Sequence, residues 1–372
     1  MNWCKGNGMS ESELLEKLLY ARGPGGEEDE VRQLCEAELR KHCDHTWTDD
    51  AGNLIGHIRA DNPRLDTDPG PTLVMAHLDE IAMAVRKIND DGSLQVTALG
   101  GINPVNFGMC PVDVMGDKAV RPGVLSFGSM HLTAQSQQGR DVQSGNVQWG
   151  DVHVVTRLSR AELRESGIRP GTRVVMSQHW RKPFKLPDAL AAHFLDDRAP
   201  VVAVLVAAAK VAQARHQLAS DVYFAFTTME EETNAGALFA ARHLPCKTAI
   251  AVEVGPVAAE YGTALTADPI VVAGDEKGHY TRSITDRLIA AAGAAGFAPQ
   301  VALLVDFASD ASAILSIGAM GKVGCIAIPT ENTHGFEIVL DEGITACTDT
   351  LVCFLTGDRL TPNGLSGGRD EQ

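Results

Sequence analysis

Apolar residues recur along the chain with two different spacings, and the spacing separates predicted helices from predicted strands. Helical spacing is found in "ESELLEKLLYA", in "EEDEVRQLCEAELRKH" and in an alanine-rich stretch at residues 200–214. Short uninterrupted apolar runs predict strands at "NLIGHIRA", "PTLVMAHLDE", "VYFAFT", "TAIAVEV" and "GCIAI". Helices and strands alternate in the first 80 residues and again after about residue 190, which is typical of a mostly parallel sheet with helices on both faces. We therefore predict an α/β domain.

The pattern changes between residues 86 and 183. Helix signals nearly vanish there, and short apolar runs such as "SLQVTAL", "GVLSF", "VHVVTRL" and "TRVVMSQ" are separated by Gly, Asp, Asn and Pro. This segment is predicted to be a small all-β, barrel-like domain inserted into the α/β domain, which is formed by residues 1–85 and 184–372. Because the insert has little helical cover, we expect it to present apolar strand surface to another subunit.

Composition and charge then limit the classes of function. The 372 residues are 44% apolar and carry a formal net charge of −16. Nucleic acids and anionic membranes require clustered Lys and Arg, so neither is an expected partner. The eight cysteines include no CxxC pair, and we expect reduced, mostly buried thiols. No stretch has the length of a membrane span or the apolar core of a signal peptide, so a cytoplasmic protein is expected, with a loose "GLSGGRDEQ" end.

Clusters of polar residues follow four of the predicted strands at their carboxyl ends. In open α/β sheets that edge is where ligands bind, because the loops there converge on a crevice. A further pair of carboxylates in "FLDDRAP" precedes the alanine-rich helix, with Pro200 suited to its first turn. The residues concerned are His77 and Asp79 after "LVMA", Asp196 and Asp197 in "FLDDRAP", Glu230 and Glu231 after "VYFAFT", Glu253 in "AIAVEV", and His334 after "GCIAI".

Two histidines and several carboxylates in one crevice are typical of a metal site, and more acids are present than one Zn²⁺ requires. Two ions sharing a bridging carboxylate would explain why three glutamates stand side by side in "MEEET", and one glutamate could stay unbound to handle protons. Each cluster alone also fits an ordinary surface histidine, a solvated helix start or a helix cap. We assign that ordinary role to His57, His153 and His243.

The ordered motifs resemble those of a known family. They are "ARGPGGEEDEVR", "DDAGNLIG", "AHLDEIAMAV", "DGSLQVTALGG", "GIRPGTRVV", "FLDDRA", "TTMEEETNAGA", "AVEVGP", "SDASAI" and "IPTENTHG". Together they make the chain similar to the dinuclear-metal tetrahedral aminopeptidases, whose members are variously labelled deblocking aminopeptidase, glutamyl aminopeptidase and endoglucanase. The resemblance runs over nearly the whole length, including the inserted β domain.

Carried over to this sequence, the resemblance implies a role for each clustered residue. The metal is expected to be zinc, with cobalt or manganese as other choices. The family usually has Asp where this chain has Glu253, and the role of Asp310 near the site stays open. The implied roles are His77 and Glu253 on one metal, Glu231 and His334 on the other, Asp196 bridging both, Glu230 as general base and acid, Asp79 as the partner of the His77 ring, and Asp197 and Arg198 as supports.

The implied function is hydrolysis of N-terminal residues from peptides, with a metal-bridged water as nucleophile and Glu230 taking and returning its proton. The resemblance also implies dimers that build a hollow dodecamer. An acylase or carboxypeptidase on the same fold is the main alternative, and it would need a basic clamp, for which Arg282 or Arg287 are candidates. A glycosidase has no use for two histidines and a bridging Asp. A non-catalytic binding protein would be expected to lack Glu230 or a ligand.

Overall fold

The computed structural model describes residues 10–63, 70–129, 131, 133 and 135–357. Cys4 and the "GLSGGRDEQ" end, each the subject of a sequence prediction, lie outside these residues. The helices are α1 (Glu11–Tyr20), α2 (Asp29–Leu39), α3 (Pro104–Phe107), α4 (Gln137–Ser144), α5 (Arg160–Glu165), α6 (Leu195–Gln213), α7 (Glu230–Thr233), α8 (Ala235–His243), α9 (Arg282–Ala294), α10 (Asp310–Ser316) and α11 (Asp341–Thr356).

The strands form two separate sheets. They are β1 (His45–Thr48), β2 (Leu54–Ile58), β3 (Thr72–His77), β4 (Ala82–Ile88), β5 (Leu94–Leu99), β6 (Pro111–Met115), β7 (Val120–Ser126), β8 (His153–Val155), β9 (Arg173–Met176), β10 (Phe184–Lys185), β11 (Ala189–Ala192), β12 (Val222–Thr227), β13 (Thr248–Pro256), β14 (Ile270–Asp275), β15 (Gly278–His279), β16 (Gln300–Leu304), β17 (Lys322–Glu331) and β18 (Glu337–Leu340).

The larger sheet is mixed, and its parallel core is central. The order along the main path is β1-β2-β12-β3-β13-β17-β18-β11-β10, and β14 adds to β17 with β15 and β16 beside it. Strands β12, β3, β13 and β17 run parallel to one another, whereas the flanking strands β2 and β18 pair antiparallel. The parallel arrangement is thus found in the centre of the main path, and one further parallel pair, β14 with β16, lies off that path. Strand β13 is buried along almost its whole length, as expected for a strand covered on both faces.

Helices cover both faces of this sheet, which confirms the predicted fold class. On one face, α6 packs against β13 and β3, and α11 packs against α6 and α9. On the other face, α8 and α10 enclose a second, smaller core that includes Ala240, Ala311 and Ile314. Helix α6 is buried over most of its circumference, which agrees with its continuous run of Ala and Val.

The inserted segment folds as a closed barrel with strand order β4-β5-β8-β7-β6-β9. Its first strand begins at Ala82, ahead of the predicted boundary at residue 86. Three short helices, α3 to α5, lie within the segment, although the sequence shows almost no helix signal there. They are too short for an apolar repeat to be visible, and α3 and α5 start at the caps Asn103 and Ser159.

Two further sequence expectations concern the thiols and the membrane. The seven cysteines that the structure describes are all free, and five of them are buried. Within the described ranges, no helix has both the length and the apolarity that crossing a bilayer requires.

Candidate metal centre

The four central strands bring the predicted site residues to one edge of the sheet. His77 is the last residue of β3 and lies opposite Thr227, the last residue of β12, in a parallel register. Glu253 lies within the carboxyl-terminal half of β13, and β17 ends three residues before His334. Because parallel strands end at the same edge, residues far apart in sequence meet above it.

Asp196 lies between the two histidines. Its Oδ1 atom is 3.0 Å from Nε2 of His77, and its Oδ2 atom is 3.5 Å from Nε2 of His334. Glu253 Oε2 lies 3.9 Å from the same nitrogen of His77, and Glu231 Oε2 lies 3.8 Å from that of His334. The two oxygens of one aspartate thus serve two neighbouring sets of ligand atoms.

Each set brings its ligand atoms close enough together to bind a metal ion. One set consists of His77, Asp196, Asp197 and Glu253, and the other of Asp196, Glu231 and His334, and within each set the ligand atoms lie within 4.8 Å of one another. Imidazole nitrogen and carboxylate oxygen are the donors that Zn²⁺ and related ions accept. In addition, Glu231 Oε1 is buried without a hydrogen-bond partner among the described residues, and a bound cation would satisfy such an atom. The residues present therefore fit divalent cations.

The protonation of the site without cations agrees with this fit. Burial raises the pKa of Glu231 to about 7, and burial with repulsion from Asp197 and Glu230 raises that of Glu253 well above its ordinary value. For His334, burial favours the neutral ring, but the carboxylates of Glu231 and Asp196 outweigh it and raise its pKa to about 11. Protons thus supply the positive charge that these carboxylates need, and divalent cations could replace them.

Asp79 holds the loop that carries the glutamates. Its carboxylate accepts hydrogen bonds from the backbone N–H groups of Glu230 (2.9 Å) and Glu231 (3.1 Å). The ring of His77 is oriented chiefly by the backbone carbonyl of Asp79, which lies 3.1 Å from Nδ1, while the nearest carboxylate oxygen lies 3.5 Å away. The expected pairing of His77 with Asp79 is therefore made mostly through the main chain.

Asp197 and Arg198 contact the end of β3 from α6. The Asp197 carboxylate accepts a hydrogen bond from the backbone N–H of His77 (2.8 Å), and the Arg198 guanidinium donates to the carbonyl of Leu78 (2.5 Å). Arg198 also pairs with Glu80, which forms a second buried ion pair with Arg181. These contacts fix the backbone on both sides of Asp79.

Glu337 is a functional neighbour that the sequence analysis missed. Its Oε2 atom accepts a hydrogen bond from the backbone N–H of Asp196 (3.0 Å), and its Oε1 atom accepts one from that of His334 (2.9 Å). Burial raises its pKa to about 8. One carboxylate thus ties two proposed ligands to each other through the backbone, and the only signal in the sequence was a charged residue in the apolar run "FEIVL".

A cleft of about 610 Å³ opens onto this edge. Glu230 lines it without belonging to either ligand set, and Glu232 also faces it and caps no helix. Among the described residues that line the cleft there is no arginine, and Arg282 and Arg287 lie elsewhere on α9. The other described residues that line the cleft are Gly101, Ile102, Asn103, Asn106, Asn234, Val254, Pro256, Tyr261, Glu276, Lys277, Asp306, Phe307, Ala308 and Thr333.

The three histidines that we assigned an ordinary role lie outside both ligand sets. His57 pairs with Asp221 and stacks on Tyr223. The Nδ1 atom of His243 lies 2.8 Å from the backbone carbonyl of Phe239, which does not line the cleft. His153 lies in barrel strand β8.

Comparison with known sequences gives one family. A profile described as M42 glutamyl aminopeptidase matches residues 52–349 of this chain. The chain is 28% identical over 248 residues to a lysyl aminopeptidase of Pyrococcus furiosus, an alignment that covers 66% of this chain and 67% of that protein. Two further curated relatives are covered over 63% and 65% of their length, so the chain spans about two thirds of the curated relatives it matches.

Comparison with solved structures shows the fold. A TET aminopeptidase from a marine sediment archaeon of the Thaumarchaeota superimposes with a TM-score of 0.83 at 21% identity, covering 93% of this chain and 96% of that one. The TET1 peptidase of Pyrococcus horikoshii superimposes with a TM-score of 0.79 at 24% identity, covering 93% and 99%. Both likenesses therefore show the same fold over 93% of this chain.

Proposed function

The chain belongs to the M42 glutamyl aminopeptidase family, and from that premise we propose that it is a metal-dependent aminopeptidase that removes N-terminal residues from peptides. The observation that carries the proposal is the pair of ligand sets that share Asp196, with Glu230 beside them in the cleft. Membership of the family confirms the resemblance that the ordered motifs indicated.

His77 and Glu253 would hold one divalent cation, Glu231 and His334 the second, and Asp196 would bridge the two. Zinc is the proposed metal because imidazole and carboxylate ligands in a small, buried set suit it, and cobalt or manganese could take its place. When bound, such ions supply Lewis-acid chemistry: they lower the pKa of water and stabilise negative charge on a carbonyl oxygen.

Glu230 would carry the proton. Its carboxylate takes a proton from the water as the water oxygen forms a bond to the peptide carbonyl carbon. When the carbon–nitrogen bond breaks, Glu230 delivers that proton to the leaving amine nitrogen, and the carboxylate is regenerated. Asp79 supports this step by holding the backbone of Glu230 in place through the hydrogen bond to its N–H group.

The free amino terminus of the substrate would be recognised by negative charge. The cleft is lined by Glu232, Glu276 and Asp306 in addition to the ligand carboxylates, and Lys277 is the only lysine or arginine among its described lining. A protonated amine is attracted to such a surface, which would limit cleavage to the first residue. The same observation weighs against an acylase or carboxypeptidase, because the described lining offers no arginine as a basic clamp for a substrate carboxylate and its one lysine, Lys277, already donates a hydrogen bond to Asn234.

A homo-oligomer is the proposed assembly, with dimers that build a dodecamer. The TET1 peptidase of Pyrococcus horikoshii forms a dodecamer in one structure and can assemble into a tetrahedron or a large octahedral shell. In this chain, Val120 and Val124 of barrel strand β7 and Met109 beside the barrel are exposed apolar side chains, which fits a surface that another subunit covers. Light scattering at micromolar concentration tests this, and a stable monomer would contradict it.

The free, mostly buried cysteines among the described residues support a reducing compartment, and we propose the cytoplasm.

The experiment that tests the function combines metal analysis with a substrate panel. Purified protein loaded with zinc, cobalt or manganese is assayed on aminoacyl arylamides, on the same compounds with an acetylated amine, and on peptides with a blocked amino terminus and a free carboxyl terminus. We expect two metals per chain and cleavage of the free-amine substrates alone, with Glu230→Gln as the inactive control. Preferential cleavage of the blocked peptides would overturn the proposal in favour of an acylase or carboxypeptidase.

A further inference from the structure

Glu230 is held by a side chain that neither the metal sets nor the sequence motifs single out. Nδ2 of Asn234 donates a hydrogen bond to Oε1 of Glu230 (2.8 Å) and a second one to Oδ1 of Asp310 (3.1 Å). Asn234 is buried, with 7% of its surface exposed, and Asp310 is buried as well. Among the described residues, no hydrogen bond is made to the other oxygen, Oε2 of Glu230, which leaves that atom free to exchange a proton.

The chemistry of its neighbours fixes the orientation of the Asn234 amide. Two carboxylates face the nitrogen end, and carboxylates only accept hydrogen bonds, whereas the ammonium of Lys277 donates to the oxygen end (3.0 Å). A flipped amide would point its oxygen at two carboxylates and its nitrogen at an ammonium. Asp310 is itself fixed, because its Oδ2 atom accepts a hydrogen bond from Thr227 Oγ1 (2.5 Å) at the end of β12. The amide therefore has one stable orientation.

The backbone at this position also favours asparagine. Asn234 has φ 53° and ψ 24°, the left-handed conformation, and it joins the single turn of α7 to α8. Asparagine tolerates this conformation better than most residues, while glycine accepts it without strain. The short amide then reaches back over one turn to the residue four positions earlier. The same residue thus makes the turn and donates the hydrogen bond.

We propose that Asn234 is a positioning residue that holds the proton-shuttling carboxylate of Glu230, and that Asp310 and Lys277 act by fixing the Asn234 amide. The inference rests on the proposed function. It assigns a role to Asp310, which the motifs placed near the site without one. It also explains how Glu230 and Glu231, neighbours in sequence, take different positions: Glu231 lies with Asp196 and His334, while Glu230 is held outside both sets by a neutral donor.

Loss of the hydrogen bond from Asn234 should therefore affect the catalytic rate more than substrate binding. A carboxylate held by one oxygen keeps the other aimed at the reacting water, and small misplacements of a catalytic group cost on the order of 10²-fold in rate. Removing the amide should lower kcat and leave KM nearly unchanged, because Asn234 is not a metal ligand and acts through Glu230. Metal content should stay at the wild-type value.

Two substitutions distinguish a role of Asn234 in positioning Glu230 from a role in supporting the turn alone. Asn234→Gly keeps the left-handed backbone free of strain and removes the donor, so kcat should fall about 10- to 100-fold. Asn234→Asp keeps shape and size but replaces the donor by a third carboxylate beside Glu230 and Asp310, so kcat should fall further than in Asn234→Gly. Thr233→Ala is the matched control: it lies in the same turn, bonds only to the backbone of Met229 and Ala235, and should keep wild-type kcat.

The experiment measures kcat, KM, metal per chain and melting temperature for these variants and for Glu230→Gln with and without Asn234→Gly. In the Glu230→Gln background, Asn234→Gly should change kcat by less than about threefold, because its effect passes through the missing carboxylate. The inference is overturned if Asn234→Asp is as active as wild type, if the variants lose metal, or if the two effects on kcat multiply. Failure of the proposed function itself would look different, because the wild-type protein would then cleave no free-amine substrate.

Discussion

The interior of the barrel and the crevice above the central strands are both buried, but apolar side chains fill the barrel interior whereas ionisable side chains line the crevice. The barrel interior consists of side chains such as Val112, Leu125 and Val154, and the buried polar residues described between 82 and 176 are only Ser166 and Thr172. The crevice buries ionisable groups, among them His77, Asp79, Asp197, Glu253, Asp310 and Glu337.

This difference separates stability from function within one chain. Removing apolar side chains from water stabilises a fold, whereas a buried charge destabilises it unless a partner compensates. In the crevice, histidines, backbone N–H groups and the Asn234 amide compensate some of the carboxylates, and Glu231 Oε1 is left without a hydrogen-bond partner. We infer that cations complete the compensation, so that changes in the crevice should alter metal and activity, and changes in the barrel should alter stability.

The largest expected effect comes from the shared ligand. Asp196→Asn keeps the volume of the side chain but removes the charge that both sets of ligands use, so metal per chain should drop at both sites and activity should fall at least about 10³-fold. Elemental analysis and turnover on the same preparation check this. Asp188→Asn, a change at an exposed aspartate ahead of β11, is the control and should keep both. Retention of two metals in Asp196→Asn would show that Asp196 is not the bridge.

A pair of variants contrasts the two regions directly. Leu125→Ala leaves a cavity in the barrel and should reduce the free energy of unfolding by about 2–5 kcal/mol, with metal content unchanged. Glu253→Gln removes a buried charge from the crevice, so the metal-free protein should be as stable as wild type or more stable, while metal affinity falls. Denaturant unfolding with and without chelator measures both. A destabilised metal-free Glu253→Gln variant would mean that this carboxylate serves the fold.

The pH dependence of the stability of the metal-free protein should also reflect the ionisable groups in the crevice. The pKa of Glu231 is about 7 in the folded chain, above its ordinary value. The folded state therefore holds a proton that the unfolded state releases between pH 4.5 and 7. The stability that this proton provides is present at low pH and is lost as the pH rises through about 7. Histidines with raised pKa values act in the same direction.

Thermal unfolding at pH 5.5 and 8 should thus show a less stable metal-free protein at the higher pH, and added zinc should remove most of the difference. Zinc binding at pH 6 should release protons, which calorimetry in buffers of different ionisation enthalpy detects. Metal binding without proton release would contradict the protonation described for the crevice.

The smallest effect is expected from the third glutamate. Glu232 is exposed at the cleft wall, lies outside both ligand sets and makes no side-chain cap to α7 or α8. Glu232→Gln should keep its metals and change kcat less than about threefold, with any effect appearing in KM because the residue faces the substrate amine. A loss of metal in this variant would place the ligands one residue further along "MEEET".

The positions of the strands could be read from the sequence, because β3, β12 and β13 are apolar runs with ionisable residues near or just beyond their carboxyl ends. The barrel was predicted for a similar reason, since turn residues punctuate its strands. The flanking strand β2 was predicted at "NLIGHIRA", but its antiparallel pairing, the flanking strand β18 and the helices α3 to α5 were not. Four to eight residues are too few for a hydrophobic repeat, and pairing direction depends on partners far away in the chain.

For the site, residue type and a position at a strand end or helix start indicated the groups that contain His77, Asp196, Glu231, Glu253 and His334, and the family resemblance implied which member of each group is a ligand. Residues that act through hydrogen bonds to the backbone or to another side chain could not be predicted from the sequence. Glu337 and Asn234 have no special spacing in the sequence, and their partners lie 141 and 4 residues away. Such contacts become visible only when the fold places donor and acceptor together.

Adjacent glutamates in "MEEET" are proposed to carry out two different tasks, and metal content together with turnover in Glu230→Gln and Glu231→Gln distinguishes those tasks. We predict that Glu230→Gln keeps two metals per chain and loses about 10²–10⁴-fold in kcat, because only the proton carrier is removed. Glu231→Gln should lose one metal and regain part of its activity in excess metal. If Glu230→Gln lost a metal while Glu231→Gln kept two, the roles would be exchanged. If both kept full metal and full turnover, the account of this site would be wrong.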